Sequence, residues 1–233
     1  TSAVHASGED LNRMVAAARL TGTERVLDAG CGAGHTALAF APYAAQVVAY
    51  DLTPTMLEQV EQLAVQRDLS NVVTLAGDVE RLPFDEGEFD LVVSRYSAHH
   101  WGNPAAALRQ FRQALKPGGR FILRDIVARD EPVIDSYLQT VEILRDPSHV
   151  RDHTIGQWQT MLDDAGFDAE VIFRWRLPLN FDAWAARMAT PAAHVSMIKT
   201  LFNIAPGEVR AAFEIQPDYT FTLDGALVLA RIR

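Results

Sequence analysis

The sequence holds one cysteine in 233 residues, Cys31, and no apolar run of the length a membrane span needs. A single thiol excludes an internal disulfide. Residues 1–10 also lack the basic-then-apolar pattern of a signal peptide, so the expected location is cytoplasmic. Positive charge is scarce as well: 21 Lys and Arg stand against 30 Asp and Glu, and a net charge of -9 repels nucleic acid and anionic lipid. The expected partner is a small molecule, with no nucleic acid and no membrane span, and the oligomeric state stays open. Without paired cysteines or His-x-x-x-His spacing, no metal site is expected.

What is present is an ordinary globular balance, 48% hydrophobic and 22% charged, on a chain long enough to bury a large core. Short apolar runs at 25–29, 46–50, 72–76, 89–94 and 120–125 alternate with helical spacing at 12–20, 36–44, 55–68 and 105–115. Such alternation predicts parallel crossover units and a sheet covered on both faces. Thr53 before Pro54 reads as a helix N-cap, and Lys116-Pro117-Gly118-Gly119 as a helix stop. The second half is less regular, with helices over 132–145 and 155–165, a strand over 169–175, helical pieces between 181 and 213, and a closing pair of strands at 219–222 and 226–231. No linker divides the chain, so one domain over 1–233 is expected.

The strongest local pattern is Asp28-Ala-Gly30-Cys31-Gly32-Ala-Gly34, where an apolar strand runs into a glycine-rich turn and a helix. Turns of this kind lie at the carboxyl edge of open α/β sheets, where ligands bind. A dinucleotide fingerprint wants G-x-G-x-x-G, but the sixth position is His35. Asp28 beside the turn opposes a pyrophosphate and suits a cationic sulfonium, which favours S-adenosylmethionine over NAD. Asp51 ends the next apolar run, placed to bond both ribose hydroxyls, and Gly77-Asp78 ends the one after, within reach of an adenine amino group. Leu52, Met56 and Val79 can clasp the adenine.

The segments VLDAGCGAG, VVAYDLTPTML, AGDVERLPFDEGEFDLVVSRYSAHHW and LKPGGRFILRD resemble the successive motifs of class I S-adenosylmethionine-dependent methyltransferases. They are most similar to the small-molecule enzymes of the ubiquinone and menaquinone biosynthesis type. The resemblance covers residues 8–126 and implies a Rossmann-like, doubly wound sheet of seven strands, mostly parallel with the last antiparallel. It implies S-adenosyl-L-methionine as cofactor and S-adenosyl-L-homocysteine as product. Asp28, Gly30, Cys31 and Gly32 would lie near the methionine part, Asp51 with Leu52 and Met56 at the ribose and adenine, and Gly77, Asp78 and Val79 at the adenine. Ser94 or Arg95 would reach the methionine amino group through a backbone carbonyl. Helical caps are expected at about 1–10, 131–153 and 177–215.

On the substrate side, Tyr96, His99, His100 and Trp101 crowd the turn after the fourth apolar run. His99 or His100 serves either as a proton acceptor or as a helix cap and packing residue. Arg145, His149 and Arg151 in the segment 145–153 form either an anion-binding wall or a solvated loop with internal Asp–Arg pairs. The expected reaction is in-line methyl transfer to an O, N, S or C nucleophile. The alternatives are cofactor use without methyl transfer, as in a cyclisation, a cofactor-binding regulatory module, and, least favoured, an NAD-dependent dehydrogenase.

Overall fold

In the computed structural model, which describes residues 8–233, helix α1 (Glu9–Ala18) precedes β1 (Arg25–Ala29), α2 (His35–Phe40), β2 (Gln46–Asp51), α3 (Pro54–Gln66) and β3 (Val72–Ala76). Then come β4 (Phe89–Arg95), α4 (Pro104–Ala114), β5 (Leu115–Ile126), α5 (Pro132–Arg145), α6 (Ile155–Asp164) and β6 (Phe167–Leu179). Three helices, α7 (Phe181–Arg187), α8 (Ala192–Ile204) and α9 (Gly207–Phe213), lead into β7 (Phe221–Ile232). The strands form one sheet in the order β3-β2-β1-β4-β5-β7-β6. β1 to β5 pair in parallel, whereas β7 runs antiparallel to both β5 and β6. The doubly wound, seven-stranded architecture with its last strand reversed is therefore as expected.

Local chemistry sets the helix starts. Asn103 accepts from Ala106 N and Pro104 follows it, which begins α4; Thr154 and Gln157 form a reciprocal capping box on α6. Thr53 does occupy the N-cap position of α3, yet its side chain makes no cap bond. Its N–H is taken instead by Asp51 Oδ1 at 2.9 Å, so the acid two residues upstream orders this turn.

Three strand expectations are corrected. The closing pair of strands is a single strand, β7, that runs straight through Gly225. A Cβ at 225 would stand 2.5 Å from the Trp175 ring, so this glycine marks a close approach within the sheet and not a turn. β5 reaches back to Leu115 through a register shift that sets Phe89 opposite Leu115 and Leu91 opposite Arg120. β6 is longer than the run at 169–175, and its register slips between Val171 and Phe173.

Apolar clusters fill both faces of the sheet, one around Phe89, Phe111, Phe121 and Trp158, the other around Met14, Phe40, Val47 and Leu91. A third cluster joins α5, α7, α8 and α9 to the ends of β5 and β7 through Leu138, Phe181, Trp184, Phe202 and Phe221. The segments 131–153 and 177–215, expected to form a cap, contribute most of this cluster. Of the cap expected near 1–10, residues 1–7 lie outside the described residues.

Candidate active site

The glycine turn leaves β1 with Gly30 at φ +74°, and a Cβ there would fall 1.9 Å from Ser97 Oγ, so the β1 and β4 loops meet with no room for a side chain. Gly30 N and Cys31 N donate to Tyr50 O, which ties the turn to β2. At the end of β2, Asp51 Oδ2 accepts from Gly32 N at 2.8 Å, and the Asp51 carbonyl accepts from Gly77 N at 3.0 Å. Asp78 Oδ1 accepts from Glu80 N. The turn, Asp51 and Gly77-Asp78 thus form one continuous rim along the carboxyl ends of β1, β2 and β3.

Other expected cofactor residues sit behind that rim. Asp28 is fully buried; Oδ2 accepts from Ala37 N at 2.8 Å, and Oδ1 has no hydrogen-bond partner among the described residues. Burial, opposed by the Ala37 bond and assisted by the charge of Asp51, raises its pKa to about 7. Ser94 is also fully buried and donates to Ala29 O at 2.7 Å. Of the three residues expected to clasp an adenine, Met56 lines the adjoining cavity, Leu52 is exposed, and Val79 packs in the core with Tyr50.

From the turn a cavity of about 680 Å³ extends beneath the cap. Gly30, Cys31, Gly32 and His35 line its near end, and Ile126, Leu177, Leu179, Trp184 and Leu223 give it an apolar far wall. Burial pushes the Cys31 thiol far above its ordinary range, so it stays uncharged there. Between the ends stand Arg95 and Tyr96. Arg95 is buried, and with Arg124 it shares Asp10 of α1, each at 2.9 Å. Burial works against the Asp10 charge, but the two arginines hold its pKa below the ordinary value. The Arg124 guanidinium lies 3.4 Å from the Tyr96 ring centroid and 4.0 Å from that of Trp175. Tyr96 has φ +53°, a left-handed conformation that costs a tyrosine about 1–2 kcal/mol and is sustained by this stacking and by its N–H bond to Arg124 O.

The polar part of the cavity gathers around His99 and His100 with Glu142, Arg145, Asp146 and Asp152. His99 Nδ1 bonds Asp125 Oδ1 at 2.8 Å, and Asp125 further accepts from Ala98 N and Ile126 N. Burial alone would lower the His99 pKa; Asp125, aided by Asp152 and Glu142, outweighs it and lifts the value to about 9. At neutral pH His99 is therefore an imidazolium, which speaks against the proton-acceptor alternative for this residue. His100 pairs through Nδ1 with Ser148 O at 3.0 Å, and burial and the His99 charge lower its pKa.

The polar segment 145–153 divides. Arg145 lines the cavity, paired with Glu142 at 3.1 Å and donating to Trp184 O. Arg151 pairs with Asp135 off the cavity wall. His149 is buried against Gln139, its pKa pulled down to about 4 by burial and the neighbouring histidines. Both arginines spend their charge on acids of α5, Glu142 and Asp135, and Asp146, His149 and Asp152 are buried, so the segment is neither an anion-binding wall nor a solvated loop with internal Asp–Arg pairs.

The sequence reading passed over Asp10, Arg124, Asp125, Glu142 and Asp152, which the fold brings into or beneath the cavity. His99, Asp125 and Asp152 each bring a ligand-type atom within 4.8 Å of the others. Asp125 already gives both oxygens to backbone N–H groups and His99, so the cluster is a bonded His99–Asp125 pair with Asp152 beside it and receives no metal role here.

A glycine turn, a row of acids on successive strand ends and a capped cavity leading away from them define a nucleoside-cofactor transferase of the doubly wound class. The chain belongs to the S-adenosylmethionine-dependent methyltransferases of class I, and residues 27–123 match the methyltransferase domain model. Its cofactor is S-adenosylmethionine. It is 45% identical to the uncharacterized protein YafE of Escherichia coli K12 over 199 residues, which are 85% of this chain and 96% of that one. Against the uncharacterized methyltransferase YcgJ of Bacillus subtilis 168 the identity is 40% over 210 residues, 90% of this chain and 83% of the relative. The YcgJ crystal structure superposes with a TM-score of 0.94 over 97% of this chain and 99% of that one, at 37% identity. An S-adenosyl-L-methionine-dependent Diels-Alderase, iccD of Talaromyces variabilis, is 30% identical over 154 residues, 61% of this chain and 52% of its own. Among the described residues no helix is long and apolar enough to cross a membrane.

Proposed function

We propose that the protein methylates a small molecule held beneath the cap, with the cofactor lying along the glycine turn and the rim formed by Asp51 and Asp78. The observation that carries this reading is the continuity of one cavity, from Gly30, Cys31 and Gly32 at the turn to His99, Asp152 and Trp184 under the cap. Its volume of about 680 Å³ falls among small-molecule sites, usually about 300–1,000 Å³. The residues fit a cationic nucleoside. A Cβ at Gly32 would meet nothing within 4 Å, so backbone faces open space there, and the Asp51 carboxylate beside it retains acceptor capacity beyond its bonds to Gly32 and Thr53.

When bound, S-adenosylmethionine supplies a methyl group already activated by its sulfonium. The chain's own part is to hold the acceptor in line, exclude water and manage one proton. Ile126, Leu177, Leu179, Trp184 and Leu223 receive an apolar body, and the end with His99, Glu142 and Asp152 receives its polar group. Residues 95 and 96 sit where the two halves join.

Calorimetry with S-adenosylhomocysteine tests the cofactor half of the proposal, and incubation with methyl-labelled cofactor and candidate metabolites tests the transfer. Tight cofactor binding with no label in any acceptor would favour the second reading, cofactor use without methyl transfer, which the likeness to a Diels-Alderase supports.

A further inference from the structure

We infer that Asp152 is the proton acceptor of this site, and that the acceptor molecule carries a hydroxyl of phenolic or enolic acidity. The inference rests on the methyltransferase reading above and concerns the cap end of the same cavity.

Asp152 follows the loop after α5 and is only 3% exposed. Its backbone is fixed to Gln139, whose Nε2 donates to Asp152 O and whose Oε1 accepts from Asp152 N. The carboxylate makes no hydrogen bond among the described residues and stands on the cavity wall. A buried carboxylate with unused lone pairs aimed into a ligand cavity is expensive unless a donor arrives. Within 4.8 Å of its oxygen lie a ring nitrogen of His99 and an oxygen of Asp125, too far apart from Asp152 for direct bonds. One hydroxyl oxygen bonded to two groups at about 2.7 Å each, at a tetrahedral angle, spans about 4.4 Å between them. The gap between Asp152 and His99, at most 4.8 Å, admits such an oxygen.

The neighbours select the class of acceptor. Glu142, Asp146 and Asp152 repel a carboxylate substrate. An amine would be held among these acids in its protonated form, which is not nucleophilic. An alkyl hydroxyl, about as weak an acid as water at pKa about 15.7, is beyond the reach of a carboxylate. A phenol at about 10 lies much closer. Burial, reinforced by Glu142 and Asp125 and opposed by His99 and Arg145, pushes Asp152 well above the ordinary carboxylate range and narrows the difference further. The His99 imidazolium, held by Asp125, lies within 4.8 Å of Asp152 and so close to the negative charge that develops on oxygen. In this account Asp125 is a positioning residue.

The step balances. The acceptor O–H bond breaks toward Asp152 as the oxygen–methyl bond forms, and the carbon–sulfur electron pair remains on sulfur. One positive and one negative charge disappear together, so the step leaves the net charge of the cavity unchanged.

The test uses 2-naphthol, an apolar two-ring phenol that becomes a strong acid on excitation and emits as the anion only where a neighbouring group takes its proton. In the S-adenosylhomocysteine complex, bound 2-naphthol should emit from the anion with the wild-type protein and from the neutral form with Asp152→Asn at saturation. Affinity for the probe should fall about tenfold or more, the loss of one bond to a charged group. Equal anion emission from both proteins, or no binding of 2-naphthol to the wild-type complex, overturns the inference. S-adenosylhomocysteine affinity within about twofold of wild type shows that the variant folds. Failure of the wild type itself to bind that nucleoside would instead refute the methyltransferase reading. Should Asp152→Asn not fold, the wild type suffices: anion emission should vanish on acidification with a midpoint well above about 3.9, where an ordinary aspartate titrates, and a midpoint at or below that value overturns the assignment.

Discussion

Replacing Asp28 by Asn should remove a pH dependence of stability that this one residue creates. The side chain is fully buried, with Oδ1 unpartnered, and its pKa rises from an ordinary 3.8 to about 7. The folded chain thus binds this proton more tightly than the unfolded chain does. Its stabilising contribution is complete below pH 3.8 and is lost as pH rises through about 7. At about 1.4 kcal/mol for each pH unit, the rise corresponds to about 4 kcal/mol between the two extremes, an order-of-magnitude figure. Asn preserves the shape and can keep the bond from Ala37 N while carrying no charge. Urea unfolding from acid to mildly alkaline pH should show the variant gaining on the wild type by several kcal/mol as pH rises, with the gain levelling above neutrality. Parallel stability curves would mean that Asp28 does not hold a proton in the folded state, and the account of a charge-averse pocket behind the glycine turn would be wrong.

His99 should titrate near pH 9 in a ¹⁵N-histidine NMR series, and a midpoint below its ordinary 6.5 would contradict the Asp125 pairing. Since this pKa is raised, the pair stabilises the fold fully below pH 6.5 and loses that effect through about 9, so His99→Gln should cost most on the acid side. Asp51→Ala should weaken S-adenosylhomocysteine binding about ten- to a hundredfold by calorimetry, the range for hydrogen bonds to a charged group; unchanged affinity would remove Asp51 from the cofactor rim. Gly30→Ala drives a Cβ to 1.9 Å from Ser97 Oγ at a positive φ, and thermal unfolding should show at least about 2 kcal/mol of lost stability.

The β1 to β5 half was legible because its signals are local. A five-residue apolar run, a glycine turn and a helix are each read within a short window, and acids at strand ends follow from the strands themselves. Long-range contact was invisible. His99 and Asp125 stand 26 residues apart, and Asp152 joins them from the loop after α5. Asp125 could be read only as the end of an apolar run, and nothing in 145–153 distinguishes Asp152 from the acids around it. Asp28 was recognised as part of the turn, but its retreat behind the cavity depends on which face of β1 meets α2. Gly225 was misread for the same reason: a glycine needed by the indole of Trp175 looks, in sequence, like one that turns the chain.

The slipped register of β6 bears on what the open margin of the sheet offers to a second strand. Thirteen residues at the margin of the sheet are an open template for another strand. The charges along this margin are nearly self-complementary about Ile172, with Asp168 and Glu170 on one side and Arg174 and Arg176 on the other. In a regular strand, an antiparallel copy would set each acid beside an arginine. Here Val171 faces Val228 while Phe173 faces Leu227, so the alternation changes phase at Ile172 and the acids and arginines point to opposite faces. One residue out of step turns a margin suited to pairing with a copy of itself into one that disfavours it.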